Sequence, residues 1–278
     1  MNIPSFLHAK SKVHVLMNGV YVPFNRCLDN LTRFIRPLSL HNPGSEYPLS
    51  VKGTCFLSTY RGRQFVLSTK HQLRGGFEPG NVCTWIDEDR NGHKIMVSPY
   101  QAATISLGND PSTSFAEDVS IFEFPSSKYE GERDITRNFF DITTANELAG
   151  IDQNNIICMF TVGYPSLFTE YIIDDADIEN VKVKELKSLY SRIFLQTAAD
   201  IPSMEFHRSM RIHRDGPVSI SYFDGFSGSP VFFVHQDRGK QCHLGFSGII
   251  RLGANEIFHI YEASYLQRIL DTYIEMIC

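Results

Sequence analysis

The sequence predicts an all-β protein whose barrels are closed off by a C-terminal helix. Two observations carry this. From Gly53 onward, short apolar stretches rich in β-branched and aromatic residues alternate with Gly, Asn, Asp and Pro, the pattern of many short strands joined by turns. Apolar residues at helical spacing are scarce until the last segment, where Leu266, Ile269, Leu270 and Tyr273 fall on one face, with Ser264 as a cap.

The first predicted hairpin runs from Thr54 to Tyr60, turns at Arg61-Gly62-Arg63 and returns over Gln64 to Ser68, delivering its second strand to His71. In the second, Val82 to Asp87 and His93 to Tyr100 flank Asp89-Arg90-Asn91-Gly92, and Asn-Gly is a tight-turn signal because both residues tolerate positive φ. Further strands are predicted at Val119 to Phe124, Ile156 to Val162, Arg192 to Thr197, Val218 to Tyr222, Val231 to His235, His243 to Ile250 and Glu256 to Tyr261. The polar stretch from Pro125 to Asp152 suits the crossing between two β units. The expected organisation is an extension over residues 1–50 that packs on the barrels, a first barrel over 51–125, a linker over 126–150, a second barrel over 151–262 and a helix over 263–278. Within the extension, Val13 to Phe24 reads as one strand.

With 278 residues the chain can bury a substantial core, and 42% hydrophobic with 21% charged residues argues against wholesale disorder. A net charge of -5 gives no electrostatic reason to expect a nucleic-acid or membrane partner. His8, Lys10, Lys12 and His14 interrupt the first apolar stretch, so no export signal is read there, and no later run approaches the ~20 apolar residues that span a bilayer. A cytoplasmic protein is expected. The six cysteines stand singly, without the paired spacing of a zinc site, and read as free thiols, although an even number also permits disulfides. Asp174, Asp175, Asp177 and Glu179 read as a solvated acidic loop, and His207 and His213 as surface or barrel residues; no metal is expected at either.

The string that carries chemistry is Asp224-Gly225-Phe226-Ser227-Gly228-Ser229-Pro230, followed by the apolar stretch Val231 to Val234. Glycines on both sides of a serine let the backbone turn tightly, expose the hydroxyl and aim successive N–H groups inward. A plain Gly/Ser turn between strands would have the same composition. A serine hydroxyl is a weak nucleophile at neutral pH and needs a neutral imidazole to take its proton, with a carboxylate behind the imidazole to fix its tautomer. His71, at a strand end, and Asp118, before a strand, are of the right types, though each taken singly is more often structural.

At this string the sequence resembles the chymotrypsin-like (trypsin-fold) serine proteases, whose nucleophile motif G-x-S-G-[GS]-P matches at Gly225, Ser227, Gly228, Ser229 and Pro230. Two further motifs fall in the family's chain order. Gly53 to Leu57 followed by Phe65 to His71 is similar to its G-T-G-F strand and T-A-x-H element, and Asp118 to Phe122 to its D-[IV]-A-[LI]-[LI] element. Val162-Gly163-Tyr164-Pro165 looks like its V-x-G-Y-P segment, and Gly245 to Ile250 like the strand beside its specificity pocket. The resemblance covers most of Val51 to Ile274. It implies two six-stranded antiparallel β-barrels and a serine endopeptidase with Ser227 as nucleophile, His71 as general base and Asp118 orienting the base. The N–H groups of Gly225 and Ser227 would form the oxyanion hole. Ser221, Asp224, Gly248, Ile249 and Ile250 would line the substrate site, where an extended protein or peptide substrate adds as a strand. No cofactor is implied.

The sequence departs from the family pattern at two positions. Phe226 stands where digestive members carry the Asp that receives a newly cut amino terminus, which favours the HtrA-like, non-zymogen bacterial type. Gln72 follows His71, where secreted members place a disulfide cysteine, and this favours a reducing compartment. Ser221 is nearest to the pocket base, so a small or apolar residue before the scissile bond is expected. By analogy with stand-alone bacterial members, an activating protein partner in a stress or defence pathway is a further expectation. The rival readings are a catalytically silent peptide-binding module of the same fold and an α/β-hydrolase esterase. The latter needs a helix after its G-x-S-x-G serine and a later histidine, whereas here a proline and a strand follow and His71 comes first.

Overall fold

The computed structural model describes residues 14–45, 48–73, 78–88, 94–99, 101–105, 118–124, 128–129, 133–174, 182–201, 206–213 and 223–277. The first described elements are β1 (His14–Met17) and β2 (Val20–Pro23), a hairpin turned at Asn18 and Gly19, both at positive φ. A short helix, α1 (Cys27–Leu31), leads into the first sheet. That sheet is built from β3 (Ile35–His41), β4 (Leu49–Tyr60), β5 (Arg63–Thr69), β6 (Val82–Glu88), β7 (Lys94–Val97), β8 (Gln101–Ala103) and β9 (Val119–Glu123). The strands lie in the order β7-β6-β3-β4-β5-β9-β8, each antiparallel to its neighbour.

Four two-residue strands follow, β10 (Lys128–Tyr129), β11 (Arg133–Asp134), β12 (Phe140–Asp141) and β13 (Asn146–Glu147), of which β12 adds parallel to β4. The second half contains β14 (Ile156–Gly163), a separate hairpin of β15 (Thr169–Asp174) and β16 (Lys182–Ser188), then β17 (Ser191–Thr197), β18 (His207–Ile212), β19 (Pro230–Gln236), β20 (Cys242–Ala254) and β21 (Ile257–Glu262). Strands β14, β17, β18, β21, β20 and β19 pair in a ring, all antiparallel, and close a six-stranded barrel. The chain then enters α2 (Ala263–Ile277).

This is the predicted all-β architecture with a terminal helix, but the two halves differ. The second meets the expectation of a six-stranded barrel. The first, among the described residues, is a curled half-barrel that does not close; its edges β7 and β8 are only four and three residues long. Such short edges leave few backbone groups unpaired. Two expectations for residues 1–50 also change. The first sheet begins at Ile35, because Ile35, Leu38 and Leu40 are buried and β3 pairs with β4. The stretch expected as one strand over Val13 to Phe24 is, from His14 on, a hairpin, because Asn18-Gly19 breaks it, and β1 extends the second sheet by pairing parallel to β20 at Val15 and Cys242. The strand predicted over Val218 to Tyr222 and the loop over Asp175 to Glu179 lie outside the described residues.

The halves meet through aromatic packing. Phe56 from β4 stacks on Phe246 from β20 at 5.1 Å, and Phe140 from β12 meets Phe232 from β19 edge-on at 5.3 Å. Full burial of each ring contributes roughly 2 to 3 kcal/mol. The apolar face of α2, with Leu266, Ile269, Leu270 and Tyr273, is buried as its spacing predicts. Its polar groups reach the first sheet: Tyr273 donates its hydroxyl to Glu123 at 2.7 Å, and Tyr60 donates to Asp271 at 2.9 Å. No described helix is long and apolar enough to cross a membrane. The five described cysteines are free thiols.

Candidate active site

His71 sits in a single 3-10 turn, Lys70–Leu73, at the end of β5, and Asp118 immediately precedes β9. Those two strands are paired through Thr69 and Val119, so the residues at their ends are neighbours by construction. The Lys70 N–H donates to the Asp118 carbonyl at 2.8 Å, and the His71 N–H donates to Asp118 Oδ1 at 2.7 Å. Asp118 Oδ2 contacts His71 Nδ1. A carboxylate there favours the tautomer with a proton on Nδ1 and leaves Nε2 as an acceptor. From the second half, the Tyr261 hydroxyl accepts from the Asp118 N–H at 2.7 Å, and burial pushes that phenol well above its ordinary range, so it stays protonated.

Ser227 arrives from the other sheet, in the turn before β19. Its Oγ lies 2.8 Å from His71 Nε2 and 3.2 Å from the carbonyl of Arg251. Two glycines shape this turn. Gly225 has φ +92, and a Cβ on it would lie 2.4 Å from the Tyr164 carbonyl oxygen and 2.7 Å from the Ser166 nitrogen. Gly228 has φ +80, and a Cβ there would lie 2.2 Å from the Thr54 carbonyl oxygen. Only glycine fits both the conformation and the space.

The peptide planes of the turn are held by their carbonyls. The Asp224 carbonyl accepts from the Ser166 N–H at 3.0 Å, and the Phe226 carbonyl from the Ser229 N–H at 2.9 Å. In a planar trans peptide the N–H points opposite to the C=O, so the N–H groups of Gly225 and Ser227 are aimed away from those partners. No described protein group accepts from either. The Thr54 hydroxyl donates to the Gly225 carbonyl at 2.7 Å and accepts from the Tyr164 N–H at 2.8 Å. Between the glycines, Phe226 is 0% exposed and packs on Phe258 at 5.8 Å, so an apolar side chain anchors the turn.

Gln72 ties the pieces together. Its amide nitrogen donates to the carbonyls of Thr54 at 3.0 Å and Ser227 at 2.9 Å, while its oxygen accepts from the N–H and the hydroxyl of Thr69 at 2.8 and 2.9 Å. All four positions of the amide are thereby used.

His71, Asp118 and Ser227 thus converge, and Gly225 borders them. Asp224 is exposed and accepts from the Ser166 hydroxyl at 2.9 Å. Ser221 lies outside the described residues. The assignment of Gly248, Ile249 and Ile250 to a substrate site needs correction. Ile249 and Ile250 are 0% exposed, and a Cβ on Gly248 would lie 1.7 Å from the Tyr261 carbonyl oxygen, so this stretch is core. The N–H and C=O of Ile250 pair with Ser229 and Gly228. The pairing of β20 with β21 slips between Ile250 and Leu252, and that irregularity brings the Arg251 carbonyl to Ser227. Sequence reasoning missed Arg251, Thr54, Gln72 and Tyr261. Gln72 carried a signal, a polar residue directly after the candidate base, and Thr54 lies in the Gly53 to Leu57 motif; the contacts of Arg251 and Tyr261 join distant segments and no short string announces them.

The sheet order, the closed second barrel, the terminal helix and a site between the halves define a chymotrypsin-like fold. Among solved structures the chain is similar to human heparin binding protein, with a TM-score of 0.51, 10% identity, and coverage of 88% of this chain and 93% of that one. A mutant of human heparin binding protein (CAP37) aligns over the same shares at 10% identity, with a TM-score of 0.50. At that identity the likeness concerns the fold alone. No family model matches the chain, and no curated protein does.

Proposed function

We propose that the protein is a serine endopeptidase that works without zymogen cleavage. The observation that carries this reading is the 2.8 Å contact between Ser227 Oγ and His71 Nε2, made while the Asp224 carbonyl is turned outward onto Ser166. With that carbonyl held outward, the turn leaves the N–H groups of Gly225 and Ser227 for an oxyanion. The apolar anchor at Phe226 serves in place of a newly cut amino terminus.

In the proposed reaction Ser227 Oγ attacks the carbonyl carbon of a peptide bond as His71 Nε2 takes its proton. Asp118 holds the imidazole and stabilises its cation. The tetrahedral oxyanion is met by the two N–H groups, each lowering the barrier by roughly 3 kcal/mol. Collapse breaks the C–N bond, His71 gives its proton to the leaving amine, and an acyl-enzyme remains on Ser227. Water, deprotonated by the same imidazole, then releases the carboxylic acid and restores the hydroxyl. The substrate backbone would lie along the end of β20 at Arg251 to Gly253, beside the nucleophile.

A fluorophosphonate probe reports such a serine directly. Wild-type protein is expected to be labelled, and Ser227→Ala and His71→Ala to abolish labelling. Folded wild-type protein that stays unlabelled would overturn the reading in favour of a silent module of the same fold.

A further inference from the structure

Between the chain around α1 and the second barrel lies a cavity of about 370 Å³, and none of its lining residues belongs to the Ser227 site. Phe24, Cys27 and Leu28 form one wall, and Cys158, Phe160 and Phe194 of β14 and β17 form the other. Cys27 and Phe160 are buried, whereas Gln153, Gln196 and His213 are exposed at the margin, so the cavity opens to solvent. A packed interior leaves few voids larger than a water molecule, and this one falls in the range of roughly 300–1,000 Å³ that small-molecule sites occupy.

The charge of the lining is one-sided. Among the described residues that line the cavity none is Asp or Glu, while Arg192 contributes a guanidinium. That group lies 4.8 Å from the centre of the Phe194 ring, which in turn meets Phe160 at 6.4 Å. No described carboxylate pairs with Arg192. Asp29, Asp152 and Asp200, each close in sequence to the lining, pair instead with Arg26 at 3.4 Å, the Asn154 N–H at 2.9 Å and Arg211 at 2.6 Å. Burial, reinforced by Cys158, pushes the Cys27 thiol up to about 12, so it adds no negative charge near neutral pH. The cavity thus offers an apolar body and a positive charge that no described acid offsets.

These features select the ligand. A peptide adding as a strand finds no edge here, because β14 and β17 pair with each other and with β19 and β18. A polyanion such as a nucleotide would bring more charge into apolar surroundings than one guanidinium can match. We propose that the cavity binds a small amphipathic monoanion, a carboxylic acid with an acyl-chain body, its hydrocarbon lying between α1 and the barrel and its carboxylate on Arg192. Burial of the chain supplies affinity, and the charge-assisted pair selects the acid over a neutral or cationic analogue. The occupant touches both the segment that leads into the first sheet and the strands of the second barrel.

The test is calorimetric titration of the full chain with decanoate, decanol and decylamine, with alkylation of Cys158 by iodoacetamide followed by mass spectrometry in parallel. Decanoate is expected to bind at one site, about tenfold or more tighter than decanol, and to slow Cys158 alkylation; decylamine is expected not to bind. Arg192→Gln, a change at the margin of the fold, is expected to bring decanoate down to the affinity of decanol and to leave decanol unchanged. Decanol that binds as tightly as decanoate overturns the anion site in favour of a purely apolar occupant. The absence of saturable decanoate binding overturns the site altogether. Decanoate binding that Arg192→Gln leaves unchanged, or that leaves Cys158 alkylated at the unliganded rate, overturns it as well, because the acid then binds elsewhere. The peptidase reading stands or falls apart from all of these, since no lining residue belongs to the Ser227 site.

Discussion

The side-chain amide of Gln72 donates to the main-chain carbonyl of Ser227 at 2.9 Å, so the residue that follows the imidazole holds the residue that carries the hydroxyl. The same amide nitrogen holds Thr54, whose hydroxyl fixes the Gly225 carbonyl. One side chain thus relates the segment that carries the His71 imidazole, the residue that carries the Ser227 hydroxyl and the turn between them.

Replacing Gln72 removes this relation without touching a reacting atom. Gln72→Leu leaves the carbonyls of Thr54 and Ser227 without that donor, and is expected to slow fluorophosphonate labelling about tenfold. Gln72→Glu is expected to be worse, because a carboxylate oxygen would face the two carbonyls. Labelling rates corrected for folded fraction decide it, and a wild-type rate in both variants would remove Gln72 from the site.

Gly225→Ala tests the turn. The φ of +92 is strained for alanine by about 1 to 3 kcal/mol, and the Cβ would meet backbone atoms of Tyr164 and Ser166 at 2.4 and 2.7 Å, which are part of the chain and yield little. The Gly225 N–H is then displaced. Labelling is expected to fall about a hundredfold while circular dichroism stays that of the folded protein.

The parts of the site that were legible in the sequence are those set by short strings. Gly225 to Pro230 predicts its own turn, and His71 and Asp118 each mark the end of one strand; pairing of β5 with β9 then brings them together. The parts that were not legible depend on distant segments. Gln72 and Ser227 are 155 residues apart, and Tyr261 reaches Asp118 across 143. Nothing near Arg251 announces the slip in register that turns its carbonyl to Ser227, so the sequence points to Gly248 to Ile250, where the side chains are core. Five of the six barrel strands were legible from their strand rhythm; β18, which completes the ring between β17 and β21, was not, and the closure came only from the resemblance. The parallel additions of β1 and β12 were not, because β1 pairs far along the chain and β12 is only two residues long.

The anchoring of the terminal helix to the first sheet is expected to carry a large share of the stability. Glu123 is 7% exposed and binds both Arg63 at 2.5 Å and Tyr273 at 2.7 Å. Glu123→Ala leaves an arginine and a buried hydroxyl without that carboxylate, and should cost about 2 to 4 kcal/mol, less than a fully buried pair because Arg63 is partly in solvent. Tyr273→Phe should cost about 1 kcal/mol. Urea unfolding measures both, and equal losses would mean the ion pair contributes nothing.

Stability should also decline in mild acid. Burial, reinforced by His243, lowers the His235 imidazole below its ordinary 6.5, and burial reinforced by Arg251 does the same to His259. In the unfolded chain both take up protons near 6.5, before the folded protein does. Their contribution is therefore complete above that pH and is lost as the pH falls from 6.5 toward the folded values. The thermal midpoint is expected to drop between about pH 7.5 and 5.5, above the main range of carboxylate titration. A double variant, His235→Phe/His259→Gln, should flatten that slope; an unchanged slope would assign it to other groups.

His71 and Asp118 belong to one sheet and Ser227 to the other, and the halves are held in register by the aromatic core that they share and by the terminal helix. A displacement of one half by about an ångström would stretch the Ser227–His71 contact beyond hydrogen-bond range while both halves stay folded. The Ser227–His71 contact is thus a gauge of alignment. Whatever presses the halves together, or wedges them apart, sets that distance without touching either residue.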